Sequence, residues 1–235
     1  MEPGLRENLE SFFHLDYPRY ELLFSLADAN DPAAYFITHL MAKYPRIRAR
    51  LFTGEITVGP NPKVNNLVKS YRAARHDWIL ISDSNISVSR HYLDAVVADF
   101  TTDVGIVTAL VAGSDPRGLG GWLEATFLNT FYARWMLLAG KFNNPVVLGK
   151  SMLFRRSEAQ RFGGIPHLGR YLAEDYMAGQ AMQMLGKRIV VMRAAVTQPI
   201  GDCTIEAFWS RHLRWGRIRR SQASLAFYFE PFISS

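Results

Sequence analysis

Four places in this chain set reactive side chains at the ends of regular elements. They are Asp28, the triplet Asp83-Ser84-Asn85, the adjacent acids Glu174 and Asp175, and the run Arg211-His212-Leu213-Arg214-Trp215. A carboxylate that ends an apolar strand projects into the crevice where open α/β sheets bind ligands. There a hard divalent ion could bridge it to two phosphates. A second carboxylate held in the crevice can take the proton of an attacking hydroxyl. Two guanidinium groups on adjacent helical turns can clamp a diphosphate as negative charge develops on it. A nucleoside contact, a metal and diphosphate contact, a general base and a cationic site therefore follow one another along the chain. Group transfer from a nucleotide diphosphate sugar needs that set.

Each station also has an ordinary structural explanation. Asp, Ser and Asn are common turn residues, which covers Asp83-Ser84-Asn85. Asp-Pro before a helix is a capping arrangement, which covers Asp28 to Asp31. Acids in a first helical turn gain from the helix dipole, and adjacent carboxylates on a helix point apart, so only one of Glu174 and Asp175 is expected to serve as base. Helical spacing puts Arg211, Arg214 and Trp215 on one arc of the last helix, with Ile205, Phe208, Trp209 and His212 on an opposite, apolar arc. A basic amphipathic helix of this kind also rests on anionic lipid. His212 then packs rather than ligates, and no His or Cys cluster has zinc spacing.

The elements that position these residues are apolar runs of strand length alternating with helical stretches, the pattern of an α/β fold with a largely parallel sheet. Strands are expected at 21–27, 50–53, 78–82, 104–111, 146–154 and 188–192. Helices are expected at 33–43, 62–75, 90–100, 158–162, 174–185 and 205–219, with Pro62 at a first helical position. The segment 122–139 carries Trp122, Phe127, Phe131, Tyr132 and Trp135 with only Glu124 and Arg134 as charges. It reads either as a buried core helix or as an interfacial helix whose rings sit at headgroup level.

A chain of 235 residues, about half of them apolar, suits one domain with a substantial core. The lone Cys203 cannot form an internal bridge, which points to a reducing compartment or to a fold that needs no staple, with a structural thiol. The net charge of +6 is uneven, with Arg211, Arg214, Arg217, Arg219 and Arg220 crowded together, a cluster suited to phosphate or anionic lipid. The arginines come without a recognisable nucleic-acid fold, so no nucleic-acid partner is expected. No apolar run reaches the roughly 20 residues needed to cross a bilayer, and no signal peptide opens the chain.

The order Asp28, Asp83-Ser84-Asn85, Glu174-Asp175 and Arg-x-x-Arg-Trp resembles the processive and lipid glycosyltransferases with a GT-A domain, whose last motif is usually Gln-x-x-Arg-Trp. Arginine in its first place narrows the resemblance. The stretch from Asn8 to Pro18 (Asn-Leu-Glu-Ser-Phe-Phe-His-Leu-Asp-Tyr-Pro), Asn61-Pro62-Lys63-Val64-Asn65-Asn66-Leu67, and Tyr171-Leu172-Ala173-Glu174-Asp175-Tyr176 are similar to ceramide glucosyltransferases. The likeness runs over nearly the whole chain.

That resemblance implies a GT-A-like, Rossmann-type nucleotide-sugar-binding α/β domain spanning 1–235, its mixed, mostly parallel sheet flanked by helices. It makes Asp28 a nucleoside contact, Asp83 the metal and diphosphate contact, and Asp175 the catalytic base. Lys63 and Asn65 help to seat the nucleotide, and Arg211, Arg214 and Trp215 border the diphosphate and acceptor region. Asn85 stands where related transferases often carry a second Asp, which weakens the case for strict metal dependence. The implied activity is inverting transfer of glucose from UDP-glucose to the primary hydroxyl of ceramide, with Mg²⁺ or Mn²⁺ as cofactor. The enzyme would be membrane-associated with its active site on the cytosolic face. Family members begin with an anchor and a first strand and continue into membrane helices, so the expectation is a catalytic core cut at both boundaries. The alternatives are transfer of another sugar, such as N-acetylglucosamine, to a hopanoid-type lipid, and a non-catalytic module that binds a membrane surface.

Overall fold

In a computed structural model of the chain, residues 2–141 and 147–222 are described. Helix α1 (Leu5–Phe13) leads to strand β1 (Leu22–Leu26), α2 (Ala33–Lys43), β2 (Ala49–Thr53), α3 (Pro62–Ala73), β3 (Trp78–Ser82), α4 (Tyr92–Ala98) and β4 (Val104–Arg117). A long helical stretch follows: α5 (Gly118–Thr126), a π-helical segment (Phe127–Tyr132) and α6 (Ala133–Lys141). Then come β5 (Ser151–Arg155), α7 (Arg156–Gln160), α8 (Gly164–Leu168), α9 (Glu174–Met184), β6 (Arg188–Asp202) and α10 (Ile205–Gln222).

The α/β alternation is as expected, but the sheet is less parallel than the pattern suggests. β1 and β2 form a parallel pair, and the other strands form a sheet in the order β3-β5-β4-β6, with β5 antiparallel to both neighbours and β4 parallel to β6. Among the described residues β1 and β3 each pair on one side only. One apolar cluster packs α4, the end of α5 and the π segment on the four-stranded sheet. A second places Val64 and Val68 of α3 and Ala178 and Met182 of α9 on Ile79, Ile106 and Met152. A third joins α1 and α2 over the β1–β2 pair.

Three strands differ from their expected bounds for identifiable reasons. β5 begins at Ser151 rather than near residue 146 because the fully buried Thr108 intervenes. Its hydroxyl donates to the carbonyl of Ser151 at 2.9 Å and accepts from the N–H of Leu148 at 3.0 Å, so a side chain replaces the ladder and lets Gly149 and Lys150 turn. Residue 146 itself lies outside the described residues. β4 and β6 run past Val111 and Met192 because their backbones keep pairing to Arg117 and Asp202, and β6 absorbs two extra residues between Met192 and Ala195. Apolar patterning ends where polar residues begin, but backbone pairing need not.

The segment 122–139 has a buried face and an exposed one. Gly121, Glu124, Ala125, Leu128, Met136 and Ala139 face inward, whereas Trp122, Leu123 and Leu137 are exposed. In the π segment, Asn129 accepts from the N–H of Gly113 at 2.8 Å and donates to its carbonyl at 3.0 Å, which fixes the helix to the extension of β4. Gly120 brings α5 onto the backbone that leads into α10, since a Cβ there would lie 2.4 Å from the carbonyl oxygen of Cys203 and 2.5 Å from Thr204. These are backbone atoms and cannot step aside. Gly120→Ala is expected to lose about 1–3 kcal/mol by overpacking. A thermal melt should show the midpoint falling by several degrees, and an unchanged midpoint would remove this contact as the reason for glycine.

Candidate active site

The carboxylates converge because three chain reversals meet beyond the ends of β3 and β5. α3 starts with Asn61 as its cap, whose side-chain oxygen accepts from the N–H of Val64 at 3.2 Å, and Pro62 supplies a preformed first turn. The same Asn61 amide donates to the carbonyl of Tyr171 at 2.8 Å and to Glu174 Oε2 at 3.0 Å, which ties the start of α3 to the start of α9. Lys63 therefore leaves the first turn of α3 pointing at the acids. Its Nζ lies 2.9 Å from Asp83 Oδ1 and 3.1 Å from Glu174 Oε1, and donates to the carbonyl of Gly149 at 3.0 Å. Burial works against the charged ammonium, but Asp83 and Glu174 outweigh it and hold the Lys63 pKa above the ordinary lysine value.

Gly149 is the hinge of this arrangement. Its N–H donates to Asp175 Oδ2 at 2.9 Å, while Asp175 Oδ1 accepts from the N–H of Tyr176 at 2.8 Å. A Cβ at Gly149 would sit 2.7 Å from the Lys63 ammonium and 3.2 Å from Asp175 Oδ2. Burial, reinforced by the neighbouring Glu174, raises the Asp175 pKa above the ordinary aspartate value, against the pull of the Gly149 N–H and Lys63. A carboxyl shifted that way is a better proton acceptor than an exposed one. A second lysine completes the group: Lys150 Nζ donates to Asn85 Oδ1 at 2.8 Å and lies 4.0 Å from Asp83 Oδ2. Burial lowers its pKa, with Lys63 and Arg211 adding to the effect and Asp83 opposing it.

These residues line a cavity of about 560 Å³ whose other wall comes from β4, β6, the π segment and α10. Arg211, Arg214 and Trp215 are on that wall, together with Arg219, Leu128, Tyr132, Trp135, Gln198 and Ile200. Among the described residues five basic and four acidic side chains line it, a balance that leaves room for an anionic ligand. Arg211 is held in place from below. Its Nη1 is 2.9 Å from Glu124 Oε1, and His212 Nε2 lies 3.0 Å from Glu124 Oε2, with Glu124 fully buried on α5. Burial raises the Glu124 pKa, but His212 and Arg211 overcome it and the net direction is down.

The expected arcs of α10 are thus divided differently. Phe208, His212 and Trp215 pack inward, with His212 against Phe127 at 4.1 Å and Trp215 stacked on Tyr132 at 6.1 Å between ring centroids. Ile205 and Trp209, expected on the apolar buried arc, are exposed instead. The buried carboxylate decides this, because it draws Arg211 and His212 to the same side. Glu124 was legible only as a lone acid in an apolar segment, and Lys150 only as a cation between two small residues.

Two other expected site residues have structural duties. Asp28 is exposed at the end of β1, where its Oδ1 accepts from the backbone N–H of Asn30 at 2.9 Å, and it is not among the residues lining the cavity. Asn65 is buried, and its side chain braces the preceding loop, accepting from the N–H of Val58 at 2.9 Å and donating to the carbonyl of Gly59 at 3.0 Å. The structure brings Asp83, Lys63, Asp175, Arg211, Arg214 and Trp215 to one cavity and leaves Asp28 and Asn65 outside its lining.

Known proteins resemble this chain in sequence and in fold. Residues 1–235 match the family described as glycosyl transferase family 21. Ceramide glucosyltransferase 3 of Caenorhabditis elegans is 32% identical over 97% of the chain and 50% of its own length. Ceramide glucosyltransferase 1 of the same organism is 34% identical over 98% of the chain and 50% of its own length. The chain thus spans about half the length of these relatives. Among solved structures, the mannosyltransferase PcManGT from Pyrobaculum calidifontis, in complex with GDP-Man and Mn²⁺, superposes with a TM-score of 0.69 at 18% identity, covering 99% of the chain and 65% of its own. S. aureus TarS 1-349 gives 0.58 at 15% identity, covering 97% of the chain and 73% of its own. The fold is that of the GT-A glycosyltransferases.

The Glu124 anchor can be tested by substitution. Removing one partner of a buried pair costs about 3–5 kcal/mol, and the partly exposed Arg211 brings the expectation for Glu124→Ala to about 2 kcal/mol. Because the Glu124 pKa is lowered on folding, its contribution is present above the ordinary glutamate value and is lost as pH falls through the lower folded value. Urea titrations at neutral and acid pH should show the parent and variant converging at the acid end. A constant difference between them would place the effect in packing instead.

Proposed function

Since the chain belongs to glycosyl transferase family 21, we propose that it transfers glucose from UDP-glucose to the primary hydroxyl of ceramide with inversion at the anomeric carbon. The single observation that carries this reading is the half-buried Asp175, set in the same cavity as Asp83, Lys63 and the arginines and raised in pKa. Asp175 takes the proton as the acceptor oxygen attacks, and the bond to UDP breaks on the opposite side of the sugar. The departing diphosphate gains negative charge, which Arg211, Arg214 and Lys150 stabilise with little rearrangement. Asp28 and Asn65 contribute to the nucleoside end, Asn65 through the loop that it braces.

A divalent ion suits the donor set. Mg²⁺ and Mn²⁺ prefer oxygen ligands, and Mg²⁺ commonly takes one or two carboxylates and completes its shell with substrate phosphates. Asp83 Oδ2, with Lys150 4.0 Å away, can supply the carboxylate. Among the described residues no three His, Cys, Asp or Glu side chains converge as a closed metal cage, which agrees with a site shared with the diphosphate. When bound, the ion neutralises charge on the leaving group.

The acceptor is a membrane lipid, and one face of the molecule suits a bilayer surface. Leu119, Trp122 and Leu123 on α5 and Ile205, Trp209 and Leu213 on α10 are exposed, and Gly120 holds the starts of these helices together. Exposed Arg217 and Arg220 continue α10, whereas Arg214 and Arg219 line the cavity. Among the described residues no helix is long and apolar enough to cross a membrane. The cytosolic leaflet, being anionic, is the face that this surface fits. Replacing Arg217 and Arg220 by Ala should weaken co-sedimentation with anionic vesicles by about 1 kcal/mol for each charge, and Trp122→Ser with Trp209→Ser should weaken it further. Binding indifferent to both pairs and to salt would refute this face.

For the base, Asp175→Asn should bind UDP-glucose as the parent does and transfer sugar about 10²- to 10⁴-fold more slowly in single-turnover assays with ceramide in detergent. The parent rate should fall as pH drops through a midpoint above the ordinary aspartate value, because the folded carboxyl is shifted up. That limb should vanish in the variant. A folded variant with parental turnover would exclude Asp175 and turn attention to Glu174.

A further inference from the structure

We infer that Gln198 recognises the acceptor, binding an amide N–H or a second hydroxyl that lies close to the reacting hydroxyl. This deepens the proposed transfer to a lipid and rests on it. Gln198 is on β6, where alternation puts it on one face with Val196 and Ile200, both buried. Its partner across the ladder is Gly113 of β4, which packs against Ala125 of α5 and offers no side chain to pair with the amide. Gln198 lines the cavity on the wall that also carries Val111, Leu128 and Ile200. It is 8% exposed, and its Oε1 is buried with no hydrogen-bond partner.

A carboxamide oxygen left that way costs free energy unless something completes it, and natural sites rarely leave one so. Val111, Leu128 and Ile200 stand with Gln198 in the lining, so the completing group belongs to an occupant with an apolar portion and a polar donor near its head. The acids and lysines for the diphosphate come from α3, α9 and the turns beside β3 and β5, and its arginines come from α10 rather than from the strands that carry Gln198. Asn85, another neutral amide in the lining, is already committed to Lys150. An acceptor that has a long apolar portion and an amide N–H or hydroxyl within a few bonds of its primary hydroxyl fits this wall. One with ester groups alone offers no donor to Gln198.

The test is a fluorescence titration of the purified protein, with UDP present, using NBD-labelled short-chain ceramide and NBD-labelled diacylglycerol of matched chain length. The parent should bind the ceramide probe more tightly than the diacylglycerol. Gln198→Met, close in shape but without the amide, should bind ceramide about tenfold more weakly, the size of one lost hydrogen bond in a buried site, with diacylglycerol and UDP affinities unchanged. Gln198→Glu keeps the acceptor oxygens and should retain most ceramide affinity, which guards against a Met variant that fails to fold. Equal ceramide binding by parent and Gln198→Met overturns the inference, as does a parent that does not prefer ceramide to diacylglycerol. A parent that prefers ceramide through Gln198 yet transfers no sugar to it would leave Gln198 in place and overturn the transfer reading instead.

Discussion

One ammonium group organises the catalytic end of this molecule. Lys63 reaches from the first turn of α3 to an acid after β3, an acid at the start of α9 and a carbonyl in the turn before β5, all between 2.9 and 3.1 Å. Asp83 and Glu174 come from elements distant in sequence and would repel each other without a cation between them. Buried ion pairs contribute little net stability, because desolvation offsets their attraction, but removing one member leaves the other charge buried and unmatched. The consequence is geometric: the loops bearing the carboxylates are held in one relation, and Gly149, packed against Lys63, can offer its N–H to Asp175.

The opposite wall repeats the principle with the signs reversed. There a buried carboxylate, Glu124, collects Arg211 and His212, and so fixes which side of α10 faces the cavity. Both walls thus depend on one charge, half-buried at Lys63 and fully buried at Glu124, that is matched by partners from other parts of the chain. Between them lies a space with charged side chains from α3, α9 and α10 in its lining and an apolar patch from β4, β6 and the π segment. That combination suits a reaction joining a charged donor to a lipid.

Most elements were legible because apolar periodicity and capping agree locally. The 78–82 run is β3 as expected, and Pro62 opens α3. What escaped was decided by contacts between distant parts of the chain. Thr108 shortens β5 by capturing its backbone, and the paired extensions of β4 and β6 contain residues that no strand pattern favours. In the site, Asp83, Asp175 and the arginines stood out because charges at element ends are conspicuous. Glu124 and Gln198 did not, since one polar residue in an apolar run has no meaning until its neighbours are known. Asn65 shows the converse, being a polar residue beside a cation of the cavity whose side chain serves its own loop.

The most direct measurement is a crystal structure of the protein with UDP and Mn²⁺. The diphosphate should lie in the cavity between Asp83 and the Arg211 and Arg214 side of α10, with Lys63 and Lys150 beside it and the metal on Asp83. Asp175 should be left facing the apolar patch. A nucleotide seated elsewhere, or a diphosphate out of reach of both Asp83 and Arg211, would contradict the assignment of this cavity to sugar transfer.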